Sequence, residues 1–264
     1  MGLPLGQGFD ERVPVVLVLD TSDSMARPQE APRIAELNAA LADWLQDART
    51  RPGLRSRVEI AIVTFDSEIQ VLELAPDRSA AAGCDGRAQA AASTAFAPIG
   101  EVADPVLTTG GFTLMVPAIE VAVDLAAQRR RLLREQGVPS RRPLIWLLTD
   151  GAASTADGEP LEAADLAGAA RMLRAAEQPH DQDDGCLFFA IGVGEADRAM
   201  LEVLAPASTM MLGSVRFRDI LGLVSHSSDL GNSSDEPGAA YQQAREHADF
   251  AEGLRSLEQR YLDQ

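Results

Sequence analysis

Residues 13–24 read VPVVLVLDTSDS, an apolar run that passes directly into a cluster of acidic and hydroxyl side chains. A run that is almost continuously apolar is typical of a strand in a parallel sheet that is covered on both faces. Three further runs have the same character: IAIVTF at 60–65, LIWLL at 144–148 and LFFAIGV at 187–193. The sequence therefore predicts a mostly parallel sheet with polar loops at the carboxyl ends of its strands.

Helical patterns separate these strands. Apolar residues recur every three or four positions in three stretches that begin at Ile34, Val116 and Leu166, as expected for helices with one buried face. Shorter helices are predicted over Arg198–Leu204 and Arg216–Val224. The alternation of strands and helices predicts an α/β fold, a doubly wound, Rossmann-like sheet with helices on both faces.

One strand is predicted to run antiparallel at the edge of this sheet. Glu68–Leu74 (EIQVLEL) follows Ile60–Phe65 after two residues, and so short a connection permits a hairpin but not a crossover. The stretch Pro76–Pro105 is rich in Ala and Gly and has weak periodicity. We expect a loop or a short helix there, with one further strand near Val102–Leu107.

The charge balance excludes several classes of protein. The 264 residues include 40 acidic and 23 basic ones, and the net charge of −17 argues against a nucleic-acid partner. Every basic residue is an arginine. The absence of lysine excludes a Walker A lysine, a Schiff-base lysine and the strand lysine of a protein kinase.

The sequence shows no sign of export or of membrane insertion. No apolar run approaches the roughly 18 residues that a membrane span needs, and no basic region followed by an apolar stretch marks a signal peptide. We therefore expect a cytoplasmic protein without a membrane partner. The two cysteines, Cys84 and Cys186, are expected to be reduced.

Oxygen-bearing side chains lie in three loops of the predicted fold. Asp20, Ser22 and Ser24 alternate directly after the first strand, Thr113 leads into a helix, and Asp150 follows a later strand. Ligands of open α/β sheets bind beyond the carboxyl ends of the strands, so we expect these side chains to converge. Hydroxyls and carboxylates without His or Cys are ligands for a hard cation. The pattern predicts a site for Mg²⁺, or for another divalent cation such as Mn²⁺ or Ca²⁺.

The order of these parts along the chain resembles the metal-ion-dependent adhesion site of von Willebrand factor A (vWA) domains. The resemblance covers roughly Arg12 to Ser228 and rests on Asp20-x-Ser22-x-Ser24, then Thr113, then Asp150 followed by Gly151. Three segments resemble the TerY-like branch of that family, which is associated with bacterial tellurium resistance and chemical stress. They are DTSDSM at 20–25, LLTDG at 147–151 and FAIGVGEAD at 189–197.

The resemblance implies a role for each side chain of the site. Ser22, Ser24 and Thr113 would bind the cation directly through their hydroxyls, and Asp20 and Asp150 would act through water. An Asp or Glu of a protein partner would complete the coordination, and in TerY-like systems the partner would be a kinase or a phosphatase. The resemblance thus implies a non-enzymatic interaction module of a bacterial stress system.

Two departures from the family pattern concern the surface that a partner would meet. Phe112 stands before the threonine, where small residues are usual, and the acidic residue common a few positions after Asp150 is displaced to Asp157. Both departures put the partner surface in question and leave the proposed metal ligands intact.

Enzyme classes fit the sequence less well. A haloacid-dehalogenase-like phosphatase could use Asp20 as its nucleophile, but Ser22 stands where that family needs a second acid, and the chain has no lysine. Gly192-Val193-Gly194 matches only part of a dinucleotide-binding fingerprint. No histidine closely follows the strands, so no general base for metal-assisted hydrolysis is visible. We predict that the protein is not an enzyme.

We expect residues 1–230 to form one domain, followed over 231–264 by the linker GNSSDEPG and an amphipathic helix. The apolar stripe of that helix consists of Tyr241, Ala244, Ala248, Ala251, Leu254, Leu257 and Tyr261. Either the helix packs back on its own domain, or it docks on a partner. In the second case the protein would be a scaffold in which the cation only stabilises loops. A sensor of a small molecule or metal oxyanion is a further alternative.

Overall fold

A computed structural model describes most of the chain: residues 11–74, 94–178, 185–212, 217–229 and 241–246 except 243. Cys84, the predicted linker and the end of the apolar stripe lie outside these residues. Cys186 is buried and carries a free thiol, and burial raises the pKa of that thiol to about 12.

The described strands form one sheet in the order β3-β2-β1-β5-β6-β7, and β4 also pairs with β2. Strands β1, β2, β5, β6 and β7 are parallel, whereas β3 and β4 run antiparallel to β2. Their bounds are β1 Val13–Asp20, β2 Val58–Phe65, β3 Ile69–Val71, β4 Ala97–Pro98, β5 Leu144–Thr149, β6 Leu187–Val193 and β7 Thr209–Leu212. The predicted mostly parallel sheet with an antiparallel edge is confirmed.

Helices cover both faces of this sheet. They are α1 Arg33–Thr50, α2 Pro52–Arg57, α3 Met115–Glu135, α4 Ala167–Glu177, α5 Arg198–Leu204 and α6 Phe217–Asp229. Leu17 of β1 belongs to an apolar cluster with α1 and α6 on one face, and Val18 to a cluster with α3, α4 and α5 on the other. Because side chains alternate along a strand, a central strand with both faces covered must be apolar throughout. The doubly wound α/β fold predicted from the sequence is therefore confirmed.

None of the helices in the described ranges combines the length and the apolarity that a membrane crossing requires.

The edge of the sheet differs from the prediction in one respect. Residues 102–110 are irregular rather than a strand, so the strand predicted near Val102–Leu107 is wrong. Pro105 has no N–H to donate to a ladder. The side-chain amide of Asn38 in α1 satisfies both backbone groups of Leu107 at 2.8 Å, donating to the carbonyl and accepting from the N–H. These bonds replace those that a neighbouring strand would have made.

The segment 241–246 packs against the sheet through Tyr241. The Tyr241 ring meets Phe189 of β6 edge-on, with 5.1 Å between ring centroids. Its hydroxyl donates to the carboxylate of Glu177 and accepts from the N–H of Phe188. Arg245 donates to the carbonyl of Ala207 at 2.8 Å. The start of the predicted apolar stripe thus lies on the chain's own domain.

We expect Tyr241→Ala to lower the free energy of unfolding by about 3–5 kcal/mol, because it removes a large buried aromatic side chain. Tyr241→Phe keeps the ring and removes one hydroxyl, and we expect it to cost about 1 kcal/mol. Urea unfolding followed by circular dichroism measures both variants. If Tyr241→Ala were as stable as the wild type, the segment would not pack on the sheet in solution.

Candidate metal centre

The candidate site lies at the carboxyl ends of two central, adjacent strands. Asp20 is the last residue of β1, and Asp150 directly follows β5. The parallel register pairs Leu19 with Leu148, so the two polar loops leave the sheet at the same level. Asp20 and Asp150 are both almost inaccessible to solvent, at 0% and 1% exposure.

A series of close polar contacts connects these two loops. Thr149 Oγ1 donates to Asp20 Oδ2 at 2.5 Å, and Ser22 Oγ donates to Asp20 Oδ1 at 2.6 Å. The Ser22 and Ser24 hydroxyls are 3.0 Å apart. Ser24 Oγ donates to Asp150 Oδ1 at 2.5 Å. Four of the five residues predicted from the sequence are therefore linked by consecutive polar contacts.

Thr113, the fifth predicted residue, enters from the loop before α3. Its N–H donates to Ser154 Oγ, and its carbonyl accepts from the Ser154 N–H, both at 2.9 Å. A Cβ at Gly151 would lie 3.4 Å from Ser24 Oγ and 3.9 Å from Thr113 Oγ1. The two hydroxyls therefore face the same small space beside Gly151. The structure thus brings together all five residues that the sequence singled out.

The loop that carries Thr113 is fastened to the loop after β1 by its backbone. The N–H of Gly110 donates to the carbonyl of Thr21 at 2.9 Å, and the N–H of Asp23 donates to the carbonyl of Gly111 at 3.2 Å. Gly111 has a φ of +69°, and a Cβ there would come within 2.1 Å of Ser67 Oγ. Only glycine allows this approach, so Gly111 helps to set the position of Thr113.

The charges of the site are only partly compensated. Arg33, the first residue of α1, forms a 2.7 Å ion pair with Asp150 Oδ2. Asp20 has no cationic partner among the described residues. Burial raises the pKa of Asp20 to about 6, an effect that hydrogen bonds from Ser22 and Thr149 oppose and the charge of Asp150 reinforces. A buried carboxylate without a counter-charge is unfavourable unless a cation joins it.

These residues fit a hard divalent cation. Mg²⁺ takes oxygen ligands, binds few protein groups directly and keeps several waters. The site offers three hydroxyls and two carboxylates, one of which has no counter-charge in the ranges that the structure describes. Within the described ranges, no group of three or more His, Cys, Asp and Glu side chains could hold a metal ion. A cation at this site would therefore depend on the hydroxyls of Ser22, Ser24 and Thr113.

Sequence reasoning missed several residues that shape the site. Thr149 was visible only as the neighbour of Asp150, and nothing in the sequence indicated that its hydroxyl would donate to Asp20. Ser154 holds the Thr113 loop, and its signal was no more than a hydroxyl residue in a polar stretch. Arg33 lies 117 positions from Asp150, and an arginine at the start of a helix carries no signal for such a contact.

Comparison of the chain with protein-family models gives no match, and comparison with curated proteins gives none. Among solved structures, the ArnB paralog VWA2 from Sulfolobus acidocaldarius is 14% identical with a TM-score of 0.48, over 83% of this chain and 45% of that one. A von Willebrand factor type A structure from Catenulispora acidiphila is 18% identical with a TM-score of 0.47, over 83% and 43%. The manganese-loaded TRAP protein of Plasmodium vivax is 17% identical with a TM-score of 0.44, over 81% and 72%.

The chain thus spans less than half the length of the first two structures. Likenesses at this level of identity concern the fold alone. They do not bear on which residues of this chain bind a ligand.

Gly151→Ala is expected to weaken cation binding while leaving the fold intact. The new Cβ would lie at ordinary contact distance from Ser24 Oγ and Thr113 Oγ1, in the space that both hydroxyls face. Mutation of groups that orient metal ligands typically costs 10–100-fold in metal affinity, and we expect a methyl group placed between two ligands to cost about tenfold or more. Calorimetric titration with Mg²⁺ or Mn²⁺ measures the effect.

Gly110→Ala is the matched control, because a Cβ at Gly110 meets no atom within 4 Å. It should bind the cation like the wild type. If Gly151→Ala also retained wild-type affinity, the cation would not bind between these hydroxyls.

Asp20→Asn is expected to stabilise the cation-free protein. With a pKa raised from 3.8 to about 6, the folded state holds the Asp20 proton more tightly than the unfolded chain does. The ionised Asp20 carboxylate therefore destabilises the folded state more and more as the pH rises from 3.8 to about 6, and the destabilisation is complete above that pH. Two pKa units correspond to roughly 3 kcal/mol, so the gain in chelator at pH 8 is at most about that size.

Two further results are expected of Asp20→Asn. At pH 4 its stability in chelator should be close to that of the wild type, and at pH 8 added Mg²⁺ should no longer raise its melting temperature. Thermal unfolding with and without EDTA measures both. A variant that is less stable than the wild type in EDTA at pH 8 would show that the Asp20 charge is compensated.

Proposed function

We propose that this chain is a non-enzymatic, divalent-cation-dependent protein-interaction module. Its site would hold Mg²⁺, or Mn²⁺ or Ca²⁺, and the cation would accept a carboxylate from an Asp or Glu of a partner protein. The observation that carries the proposal is the buried Asp20, which has no counter-charge in the described part of the chain and lies beside hydroxyls that face one common space. Such a set of groups favours a cation over any other ligand.

The chemistry of the donors explains why the cation would bind a partner. Ser22, Ser24 and Thr113 are neutral ligands, and Arg33 offsets the charge of Asp150. A bound cation would therefore remain a strong acceptor for one more anionic oxygen. The role of this chain's residues is to bind and orient, because the sequence places no histidine in the loops 20–24, 108–113 and 149–151.

We extend the proposal to the adhesion-type metal site, to the TerY-like branch and to a bacterial tellurium-resistance or stress system. The segments DTSDSM, LLTDG and FAIGVGEAD support this extension. A kinase or a phosphatase of the same system would then be the partner, and the cytoplasm the place of action. We also propose the division into a domain over 1–230 and a linker with a helix over 231–264.

The alternative functions are less well supported. In the scaffold alternative the C-terminal stripe binds the partner, but Tyr241 and Ala244 at its start are already buried, at 6% and 4% exposure. In the phosphatase alternative Asp20 attacks a substrate, but its carboxylate is fully enclosed and accepts hydrogen bonds from Ser22 and Thr149. A nucleophile has to reach its substrate.

The relaxation of water protons by protein-bound Mn²⁺ tests the proposed function. Binding of Mn²⁺ to the protein should enhance the relaxation of water, and acetate should reduce that enhancement by displacing a coordinated water. We expect both effects to vanish in EDTA and in the double variant Ser22→Ala, Ser24→Ala. Ser56→Ala in α2, at the opposite end of the strands, is the control. Mn²⁺ binding that is equal in the double variant and in the wild type would contradict the proposal.

A further inference from the structure

One exposed aromatic ring stands next to the proposed metal ligands. Phe112 directly precedes Thr113 and is 46% exposed. Its N–H donates to Ser67 Oγ at 2.9 Å. The ring lies over Gly158, where a Cβ would come within 2.5–2.8 Å of three ring atoms, and Gly158 has a φ of +83° that favours glycine. Ser67 therefore fixes the backbone of Phe112, and Gly158 supports its ring at the surface.

Four exposed acidic residues lie in the segments that contact Phe112 or its neighbour Gly111, and we call them the acidic rim. Asp157 and Glu159 flank the glycine beneath the ring. Glu68 follows the serine that accepts from the Phe112 N–H, and the N–H of Asp23 donates to the carbonyl of Gly111. All four are exposed, and none forms an ion pair with another described residue.

The acidic rim and the ring attract the same kind of group. The face of an aromatic ring is electron-rich and binds a Lys or Arg side chain. The carboxylates of the rim add a favourable field for that cation, whereas a purely acidic ligand meets repulsion. A partner that approaches the metal centre with a carboxylate therefore gains if a basic side chain accompanies it.

We propose that Phe112 and the acidic rim bind a Lys or Arg of the partner, next to the carboxylate that the cation takes. The inference rests on the proposed function and specifies its partner: a segment in which an Asp or Glu lies within a few residues of a basic side chain. Charge complementarity excludes the other occupants. Nucleic acid is anionic, and a second copy of this chain carries a net charge of −17, so both meet repulsion at the acidic rim.

A selection from a library of random displayed peptides tests the inference, with the full chain in Mg²⁺ as the bait and EDTA as the counter-selection. We expect enriched peptides to contain an Asp or Glu with a Lys or Arg within about four positions. Enriched peptides that are acidic without a basic residue, or that lack an acidic residue, would overturn the inference. An absence of enrichment would overturn it as well.

Variants then locate the basic side chain. For an enriched peptide, Phe112→Ala should weaken binding about fivefold, the equivalent of about 1 kcal/mol for an exposed cation–π contact. Phe112→Tyr should retain the affinity. Asp157→Asn with Glu159→Gln should weaken binding and reduce its dependence on salt. Unchanged peptide affinity in Phe112→Ala would contradict the inference.

Titration of the same proteins with Mg²⁺ separates the two proposals. All three variants should bind Mg²⁺ as the wild type does, because none of them changes a proposed ligand. A wild type that binds no Mg²⁺ would remove the proposed function and this inference together. A wild type that binds Mg²⁺ but selects peptides without basic residues would remove the inference alone.

Discussion

The charge of Asp20 is the constraint on which the site depends. Its carboxylate ends the central strand β1, is sealed from solvent and has no cationic partner among the described residues. The fold creates this situation. Because β1 is covered on both faces, the side chain at its carboxyl end lies in an interior that excludes water. The hydroxyls of Ser22 and Thr149 satisfy the carboxylate oxygens, but hydrogen bonds do not neutralise a charge. A hard cation would do so, and the neighbouring hydroxyls are suitable ligands for one.

The two aspartates of the site differ in how their charges are compensated. Asp150 is paired with Arg33 across 117 positions of chain, so within the described residues only the charge of Asp20 is left uncompensated. A cation held here by neutral hydroxyls and one uncompensated carboxylate would still carry net positive charge and would favour an anionic ligand. The acidic rim around Phe112 then makes the outer surface selective, because it opposes an anion that arrives without a positive companion.

Most of the fold was predictable because its signals are local. Apolar runs without alternation identify buried parallel strands, and the loops after them had to converge at one edge of the sheet. That reasoning brought Asp20 and Asp150 together correctly. The failures are all contacts between distant segments. Hydrogen bonds from Asn38 take the place of the strand pairing expected near Val102–Leu107, and Arg33 forms an ion pair with Asp150. Each depends on how a helix lies on the sheet, which no local pattern encodes.

Anomalous diffraction from crystals of the protein grown with Mn²⁺ tests the central claim most directly. The account predicts one anomalous peak within about 2.0–2.4 Å of the hydroxyl oxygens of Ser22, Ser24 and Thr113, a distance typical of hard cations and oxygen ligands. The peak should lie near the Asp20 carboxylate. A peak elsewhere on the surface, with these hydroxyls contacting only protein groups, would contradict the account.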